Sequence, residues 1–205
     1  MDARDPRRFA PAAARNREPI FAVLREHLPA EGAVLEIGAG SGEHAAAFAP
    51  RLPALRWRPT DPDPSARASI DAWAAEVGAA NIDAAIDLDA AGDTWPIGQD
   101  EELAAILAIN VVHISPWATA AGIFAGAGRH LEADGVLYLY GPYRIDGAHT
   151  APSNAAFDAS LRARDPRWGV RDLEALCALG EAAGLALAER VAMPANNFSL
   201  VFRRR

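Results

Sequence analysis

Lysine is missing from this sequence, so all 20 residues counted as lysine or arginine are arginine. Without lysine, the chain cannot form a Schiff base on a side-chain amine, and it lacks the lysine of phosphate-binding loops. Cysteine is nearly missing too, because Cys177 stands alone. A lone cysteine excludes an internal disulfide and a cysteine metal cluster. We therefore expect no metal centre and a reducing, cytoplasmic location.

Long apolar runs are absent as well. No stretch approaches the roughly 20 apolar residues that span a bilayer, and no apolar segment follows the charged start of the chain, as a secretory signal would require. The formal net charge of −7 repels a phosphate backbone. We therefore expect neither a membrane nor a nucleic-acid partner. The sequence carries nothing that fixes an oligomeric state.

Short apolar runs alternate with segments of helical spacing along the 205 residues. Helical spacing occurs, for example, at 16–28 and at 65–77, where Ser65 is a candidate N-cap. The alternation predicts a Rossmann-like, mostly parallel sheet with helices on both faces. Seven segments have the pattern of strands: 33–37, 55–58, 82–86, 103–109, 135–140, 185–192 and 198–202.

The last two predicted strands are joined by only five residues, 193–197. Such a loop is too short for a parallel crossover, so we expect a C-terminal antiparallel hairpin. A parallel α/β sheet with this hairpin resembles the class I methyltransferase fold more than a plain dinucleotide-binding fold. We expect one domain over 1–205, with an N-terminal helical cap at 1–30 and a substrate-side insertion at 141–170.

A glycine-rich loop follows the first predicted strand. Gly38, Ala39 and Gly40 lie in a G-x-G-x-G pattern, and Glu36 precedes the first glycine by two residues. Glycine permits a tight turn and a close approach of a ligand to the backbone. A carboxylate beside the loop disfavours a pyrophosphate and suits S-adenosylmethionine, which carries a sulfonium and an ammonium. These four residues are candidate cofactor ligands; a glycine-rich turn without a ligand is the alternative.

Acidic residues follow the second and third predicted strands. Asp61 stands 21 residues after Gly40, a spacing at which an acid bonds ribose hydroxyls in nucleoside-binding sheets. Asp87 and Leu88 are positioned to bind an adenine through the carboxylate and the next backbone N–H. The alternatives are an ordinary proline–aspartate turn around Asp61 and an ordinary loop acid at Asp87.

The fourth predicted strand ends in the most distinctive segment of the chain. Asn110 should point across the glycine loop towards the transferred methyl group, so it is both a cofactor and a catalytic candidate. His113 is three residues further on and could remove a proton from the acceptor. The alternatives are a buried histidine bonded to backbone, and catalysis by alignment alone.

Motifs spread over nearly the whole chain resemble the methyltransferase-like 26 family of uncharacterised class I methyltransferase-fold proteins. The resemblance implies that fold and S-adenosylmethionine as cofactor, and it implies no substrate. The motifs are 12–20 (AAARNREPI), 35–38 (LEIG), 110–117 (NVVHISPW), 140–143 (YGPY), 152–154 (PSN), 164–169 (RDPRWG) and 194–197 (PANN).

In the light of this resemblance, Arg15 and Asn16 are candidate cofactor ligands, with Arg15 on the cofactor carboxylate; the alternative is a solvated first turn of a helix. Other residues of the motifs lie on the catalytic side and are candidates for an acceptor pocket, although the hairpin asparagines could also be plain turn formers. The acceptor candidates are Tyr143, Asn154, Trp168, Asn196 and Asn197.

Together these features predict an S-adenosylmethionine-dependent methyltransferase that acts on an unidentified small molecule. The alternative is a module that binds S-adenosylmethionine without turnover and works through a protein partner. Tight binding of NAD would instead indicate an oxidoreductase.

Overall fold

The structure is a computed structural model that describes residues 5–98 and 101–205. The first four residues of the predicted N-terminal cap lie outside this range. Over the described residues the α-helices are α1 (Pro11–His27), α2 (Glu43–Phe48), α3 (Pro64–Val77), α4 (Trp117–His130), α5 (Pro152–Arg164) and α6 (Leu173–Ala182). The strands are β1 (Gly32–Ile37), β2 (Leu55–Pro59), β3 (Leu103–Ile109), β4 (Leu131–Gly141), β5 (Tyr143–Ile145), β6 (Ala148–His149), β7 (Arg171–Asp172), β8 (Leu185–Met193) and β9 (Asn197–Arg204).

The main sheet has six strands in the order β2-β1-β3-β4-β9-β8. β2, β1, β3 and β4 run parallel, and β9 is antiparallel to both β4 and β8. The predicted insertion at 141–170 contains α5 and two strands of a separate small sheet, ordered β6-β5-β7. The strand order reverses direction between β1 and β3, which is where ligands bind in open α/β sheets.

The segment 82–86, predicted as a seventh strand, does not extend the sheet. It makes two isolated parallel bridges, Trp57 to Ile82 and Thr60 to Ile86. Between them, Ala84 is exposed, and the carboxylate of Asp83 forms an ion pair with an arginine of β2. Alanine and aspartate are poor strand formers, so a continuous ladder is lost between the two isoleucines.

The predicted cap of α3 is also wrong by two residues. Asp63 is the N-cap, and its Oδ1 accepts a hydrogen bond from the Ser65 backbone N–H at 2.9 Å. Pro64 occupies the first helical turn, where a proline nitrogen without a hydrogen loses no bond. Gly78 ends the helix in the left-handed conformation, with φ +63°.

Helices cover both faces of the sheet, and the central strand β3 is buried along its whole length. Alternate residues of a strand point to opposite faces. Ile106 therefore packs in the core beneath α4 and α6, while Leu107 packs in the core beneath α1 and α2. Burial on both faces explains why residues 103–109 are an uninterrupted apolar run. The carboxyl ends of the parallel strands all lie at the same end of the sheet, and the residues that follow the strands converge there.

Candidate functional site

The glycine loop joins β1 to α2 in a conformation that only glycine adopts easily. Gly38, Gly40 and Gly42 have φ values of +62°, +59° and +89°. A Cβ at Gly38 would lie 3.0 Å from Val111 Cγ2, and one at Gly42 would lie 2.7 Å from the Ile70 Cα. At Gly40 a Cβ would meet only the Gly38 carbonyl oxygen, at 3.9 Å, among the described atoms. The main chain at Gly40 is therefore open to a ligand.

Asp61 ties the end of β2 to this loop. Its Oδ2 accepts a hydrogen bond from the Gly40 N–H at 3.0 Å, and its Oδ1 accepts one from the Asp63 N–H at 2.9 Å. Arg67 donates to the Asp61 carbonyl oxygen at 2.9 Å. The carboxylate is thus held in place beside the loop.

A cavity of about 470 Å³, here called the loop cavity, lies at these strand ends. Three carboxylates line it, those of Asp61, Asp89 and Asp165. Its lining has one arginine, Arg167, which forms an ion pair with Asp165 at 2.7 Å. Of the predicted cofactor residues, the structure places five in its wall: Gly38, Gly40, Asp61, Leu88 and Asn110.

Three other predicted cofactor residues line neither cavity of the site. Glu36 is buried, and its Oε2 accepts a hydrogen bond from Trp57 Nε1 at 2.7 Å; burial raises the pKa of Glu36 to about 7. Ala39 donates its N–H to the Thr60 carbonyl oxygen at 2.8 Å. Asp87 is turned to solvent by an ion pair with Arg67 at 3.1 Å.

A second cavity, of about 690 Å³, adjoins the first and is here called the asparagine cavity. The N-terminal helix, the β3–α4 turn, the end of β4, α5 and the β8–β9 connection all contribute to it. Among the residues that line it, Arg15 carries a charge at neutral pH. Five asparagines line it: Asn16, Asn110, Asn154, Asn196 and Asn197.

Asn110 lines both cavities and marks their junction. It has the left-handed φ of +59°, which asparagine tolerates better than most residues. Its N–H donates to the Tyr140 carbonyl oxygen at 2.9 Å. The end of β3 is therefore turned sharply, and the Asn110 side chain is the common wall of the two cavities.

His113 lies in the asparagine cavity, 2% exposed, with its ring edge-to-face against Phe157 at 5.7 Å. Its Nδ1 is buried without a hydrogen-bond partner among the described residues. Burial, with a smaller contribution from the nearby Arg171 guanidinium, lowers the pKa of His113 to about 4. The imidazole is neutral at pH 7, so it can accept a proton but binds one weakly.

Arg171 holds the turn that carries His113. Its guanidinium donates to the carbonyl oxygens of Val112 at 2.9 Å and Ser115 at 2.6 Å. The His113 carbonyl oxygen accepts the N–H of Gly169 at 3.0 Å. The catalytic candidate is thus fixed from the insertion side by β7 and the loop before it.

Arg15 and Asn16, predicted to bind the cofactor, line the asparagine cavity rather than the loop cavity. Asn16 is buried, and its Oδ1 accepts a hydrogen bond from His44 Nε2 at 2.9 Å. Burial lowers the pKa of His44 to about 4, which keeps this ring neutral. The pair docks α1 against α2 and so sets the position of Arg15.

The predicted acceptor residues are divided by the structure. Asn154, Asn196 and Asn197 line the asparagine cavity, whereas Trp168 lines the loop cavity. Tyr143 lines neither, because its ring is packed in the core of the sheet. The local sequence does not indicate that Tyr143 is buried, because the residue comes just after a strand end, where side chains are usually exposed.

Three lining residues of these cavities are not among the candidates that the sequence offers. Asp89 lies two residues after Asp87 and takes the place in the loop cavity expected for that acid. Phe157 lies on α5 and faces the asparagine cavity. Asp165 stands in the quoted motif 164–169, which was a usable signal.

Within residues 5–98 and 101–205, no cluster of three or more histidine, cysteine or acidic side chains is arranged to hold a metal ion. In the same part of the chain, none of the helices has the length and apolarity needed to cross a membrane.

A family model described as "Protein of unknown function (DUF938)" matches residues 7–204. Among solved structures, the chain is similar to an O-methyltransferase family protein from Burkholderia thailandensis, with 15% identity and a TM-score of 0.77 over 94% of this chain and 57% of that one. It is also similar to the mitomycin 7-O-methyltransferase MmcR, with 18% identity and a TM-score of 0.78 over 95% of this chain and 54% of that one. A third is CalO1, a methyltransferase in calicheamicin biosynthesis, in its SAH-bound form, with 18% identity and a TM-score of 0.73 over 95% of this chain and 54% of that one.

The chain spans little more than half the length of these three proteins. At such identities the likeness shows the fold. The predicted α/β fold is confirmed in its coarse form, a mainly parallel sheet with helices like that of methyltransferase structures, and its main sheet has six strands.

Proposed function

We infer that this chain, which belongs to the DUF938 family of unknown function, is an S-adenosylmethionine-dependent methyltransferase acting on a small molecule. The observation that carries the proposal is the junction at Asn110 between an acidic cavity on the glycine loop and a larger cavity lined by amides. The names of the similar structures, all methyltransferases, support it. The motifs quoted above support the narrower assignment to the methyltransferase-like 26 family.

The loop cavity fits the cofactor by its chemistry. The open main chain at Gly40 allows a close approach, and Asp61 and Asp89, which are not paired with the Arg167 of the lining, suit a ligand with positive charge. Asp61 would bind the ribose hydroxyls, Leu88 would contact the adenine, and Asn110 would lie beside the methyl group. When bound, the cofactor supplies an electrophilic methyl group on a sulfonium.

The part played by the chain itself is mainly alignment. Asn110 is held at the junction by its main-chain bond to Tyr140, and the turn that follows is fixed by Arg171. Alignment of this kind supplies a large part of the rate of a displacement reaction. With a pKa near 4, His113 holds a proton weakly, so its contribution as a base is smaller than a histidine of ordinary pKa would make.

Calorimetry with S-adenosylhomocysteine and with NAD tests the cofactor. We expect binding of the first and no comparable binding of NAD. Asp61→Ala should lower the affinity for S-adenosylhomocysteine by roughly 30-fold or more, since two hydrogen bonds of about 1–3 kcal/mol each are lost. Asp93→Ala is the matched control, because Asp93 is exposed and lines neither cavity. Tight NAD binding, or unchanged affinity in Asp61→Ala, would overturn the proposal.

A second candidate function is cofactor binding without turnover, through a protein partner. The low basicity of His113 is the observation that favours it. Incubation with S-adenosylmethionine and a metabolite extract separates the two functions. A methyltransferase converts some metabolite to a product one methyl group heavier, and a binding module yields no such product while still binding the cofactor tightly.

A further inference from the structure

The asparagine cavity differs in charge from the loop cavity beside it. Its lining includes Arg15 and no carboxylate, whereas the loop cavity has three carboxylates. Among the described residues, Arg15 makes no ion pair within 4.0 Å, although it lies on an exposed face of α1. His113 is the other basic group in the lining, and it is neutral at pH 7. An ammonium ion would find no opposite charge in this cavity.

Three of the five asparagines of this cavity present mainly their oxygen atoms. Asn154 Nδ2 donates to Thr150 Oγ1 at 3.0 Å and to the Asn196 carbonyl oxygen at 2.9 Å. Asn196 Nδ2 donates to Ser153 Oγ at 3.1 Å, and Asn197 Nδ2 donates to the Pro194 carbonyl oxygen at 3.2 Å. The amide nitrogens of these three residues are thus engaged by the protein, which leaves their Oδ1 atoms as hydrogen-bond acceptors for a ligand.

From these two observations we propose that the methyl acceptor is a small organic acid that also carries hydroxyl or N–H donors, with its anionic group on Arg15. The inference rests on the proposed function and names the substrate class of the same site. A guanidinium binds a carboxylate through charge-assisted, often bidentate hydrogen bonds. The Oδ1 atoms of Asn154, Asn196 and Asn197 would accept from the donors on the rest of the molecule.

The anionic class also agrees with the weak basicity of His113. The ionised group is itself the nucleophile: its carboxylate oxygen forms a bond to the methyl carbon as the carbon–sulfur bond breaks, S-adenosylhomocysteine leaves, and no proton has to be removed, so the transfer depends on alignment. A protonated amine would first have to lose a proton, and a histidine with a pKa near 4 is poorly suited to remove it. Charge, hydrogen-bonding pattern and basicity therefore favour one class of acceptor.

The carboxylate that binds Arg15 has two possible sources, the acceptor and the methionine part of the cofactor. The experiment must separate them, so it is run on the full chain with and without saturating S-adenosylhomocysteine. The probes are para-hydroxybenzoate, para-hydroxybenzamide and para-hydroxybenzylamine, which share a ring and a hydroxyl and differ in charge. Binding is measured by ligand-observed NMR and by calorimetry.

We expect the benzoate to bind roughly tenfold more tightly than the benzylamine, both with and without S-adenosylhomocysteine. Arg15→Gln should remove that preference and leave the affinity for S-adenosylhomocysteine within about twofold of the unmodified chain. Arg17→Gln is the matched control, since Arg17 is exposed on the same helix and lines neither cavity. It should retain the preference.

Three results would overturn the proposal. The first is an equal response, or no response, to the benzoate and the benzylamine. The second is a preference for the benzoate that survives in Arg15→Gln. The third combines two observations: Arg15→Gln loses affinity for S-adenosylhomocysteine tenfold, and the unmodified chain loses benzoate binding when S-adenosylhomocysteine is present. Together they would assign Arg15 to the cofactor. Failure of S-adenosylhomocysteine to bind at all contradicts the proposed function instead, and the cofactor-free arm still tests the acceptor class.

Discussion

The loop cavity and the asparagine cavity share Asn110, yet they are built from different parts of the chain. The loop cavity is mostly main chain and short side chains that directly follow β1, β2 and β3. The asparagine cavity combines residues near positions 15, 113, 154 and 196, brought together from helices, the insertion and the β8–β9 connection. The lining of the loop cavity is thus a property of strand ends, while that of the asparagine cavity depends on how distant segments pack.

Burial acts in opposite directions on Glu36, beneath the glycine loop, and on His113, in the asparagine cavity. It raises the pKa of Glu36 to about 7 and lowers the pKa of His113 to about 4. The cause is the same in both, because a low-dielectric interior disfavours the charged form of either group. Neither side chain therefore carries the full charge that its residue type suggests at pH 7.

The largest expected effect separates the cavities by geometry. Gly40→Leu places a side chain where the loop cavity opens, so S-adenosylhomocysteine affinity should fall by roughly 1,000-fold or more in calorimetry. Gly78→Leu is the control, because Gly78 has a similar φ of +63° and open space around it. Both variants should lose similar thermal stability. Equal affinity in the two variants would mean that the cofactor does not bind at the glycine loop.

A second prediction concerns pH and the asparagine cavity. The folded pKa of His113 lies below the ordinary value of 6.5, so the unfolded chain binds more protons between about pH 4 and 6.5. The stability that neutral His113 contributes is fully present above pH 6.5 and is lost as the pH falls through 4. This loss is on the order of 3 kcal/mol.

Urea denaturation over this pH range measures the effect. His113→Gln should flatten the fall in the free energy of unfolding, whatever its stability at pH 7. Glu36→Gln should make the same fall steeper. Because its pKa is raised, Glu36 contributes stability that is present below pH 4.5 and is lost as the pH rises through 7. The same pH slope in His113→Gln and in the unmodified chain would show that His113 is not buried as described.

The smallest effect is expected at Gly141, behind His113. A Cβ there would lie 2.8 Å from His113 Cε1 and Nδ1, so Gly141→Ala should displace the ring and cost about 2 kcal/mol of stability. The cost should nearly vanish in a His113→Ala background, which a double-mutant cycle measures. Affinity for S-adenosylhomocysteine should stay unchanged, since Gly141 lines neither cavity. An equal cost in both backgrounds would place the strain elsewhere.

Prediction from sequence agreed with the structure where a short local pattern specifies the backbone. The apolar run of β1, the glycines after it and Asp61 after β2 are each specified within a few residues, and parallel strands bring such positions to one edge. The same local reasoning failed at 82–86, where two isoleucines suggested a strand but the residues between them form no ladder. It did not foresee that Asp87 is turned to solvent by an ion pair with Arg67, while Asp89 lines the loop cavity.

By itself, then, the sequence determined the alternation of strands and helices, the open glycine loop and Asp61 beside it, because each depends on backbone preferences and spacing along a short stretch. Only the tertiary structure decided that Arg15 faces the amide-lined cavity, that Tyr143 is core, and that Glu36 and His113 are driven towards neutrality. Those properties depend on which distant residues surround a side chain and exclude water from it, and no local pattern records that.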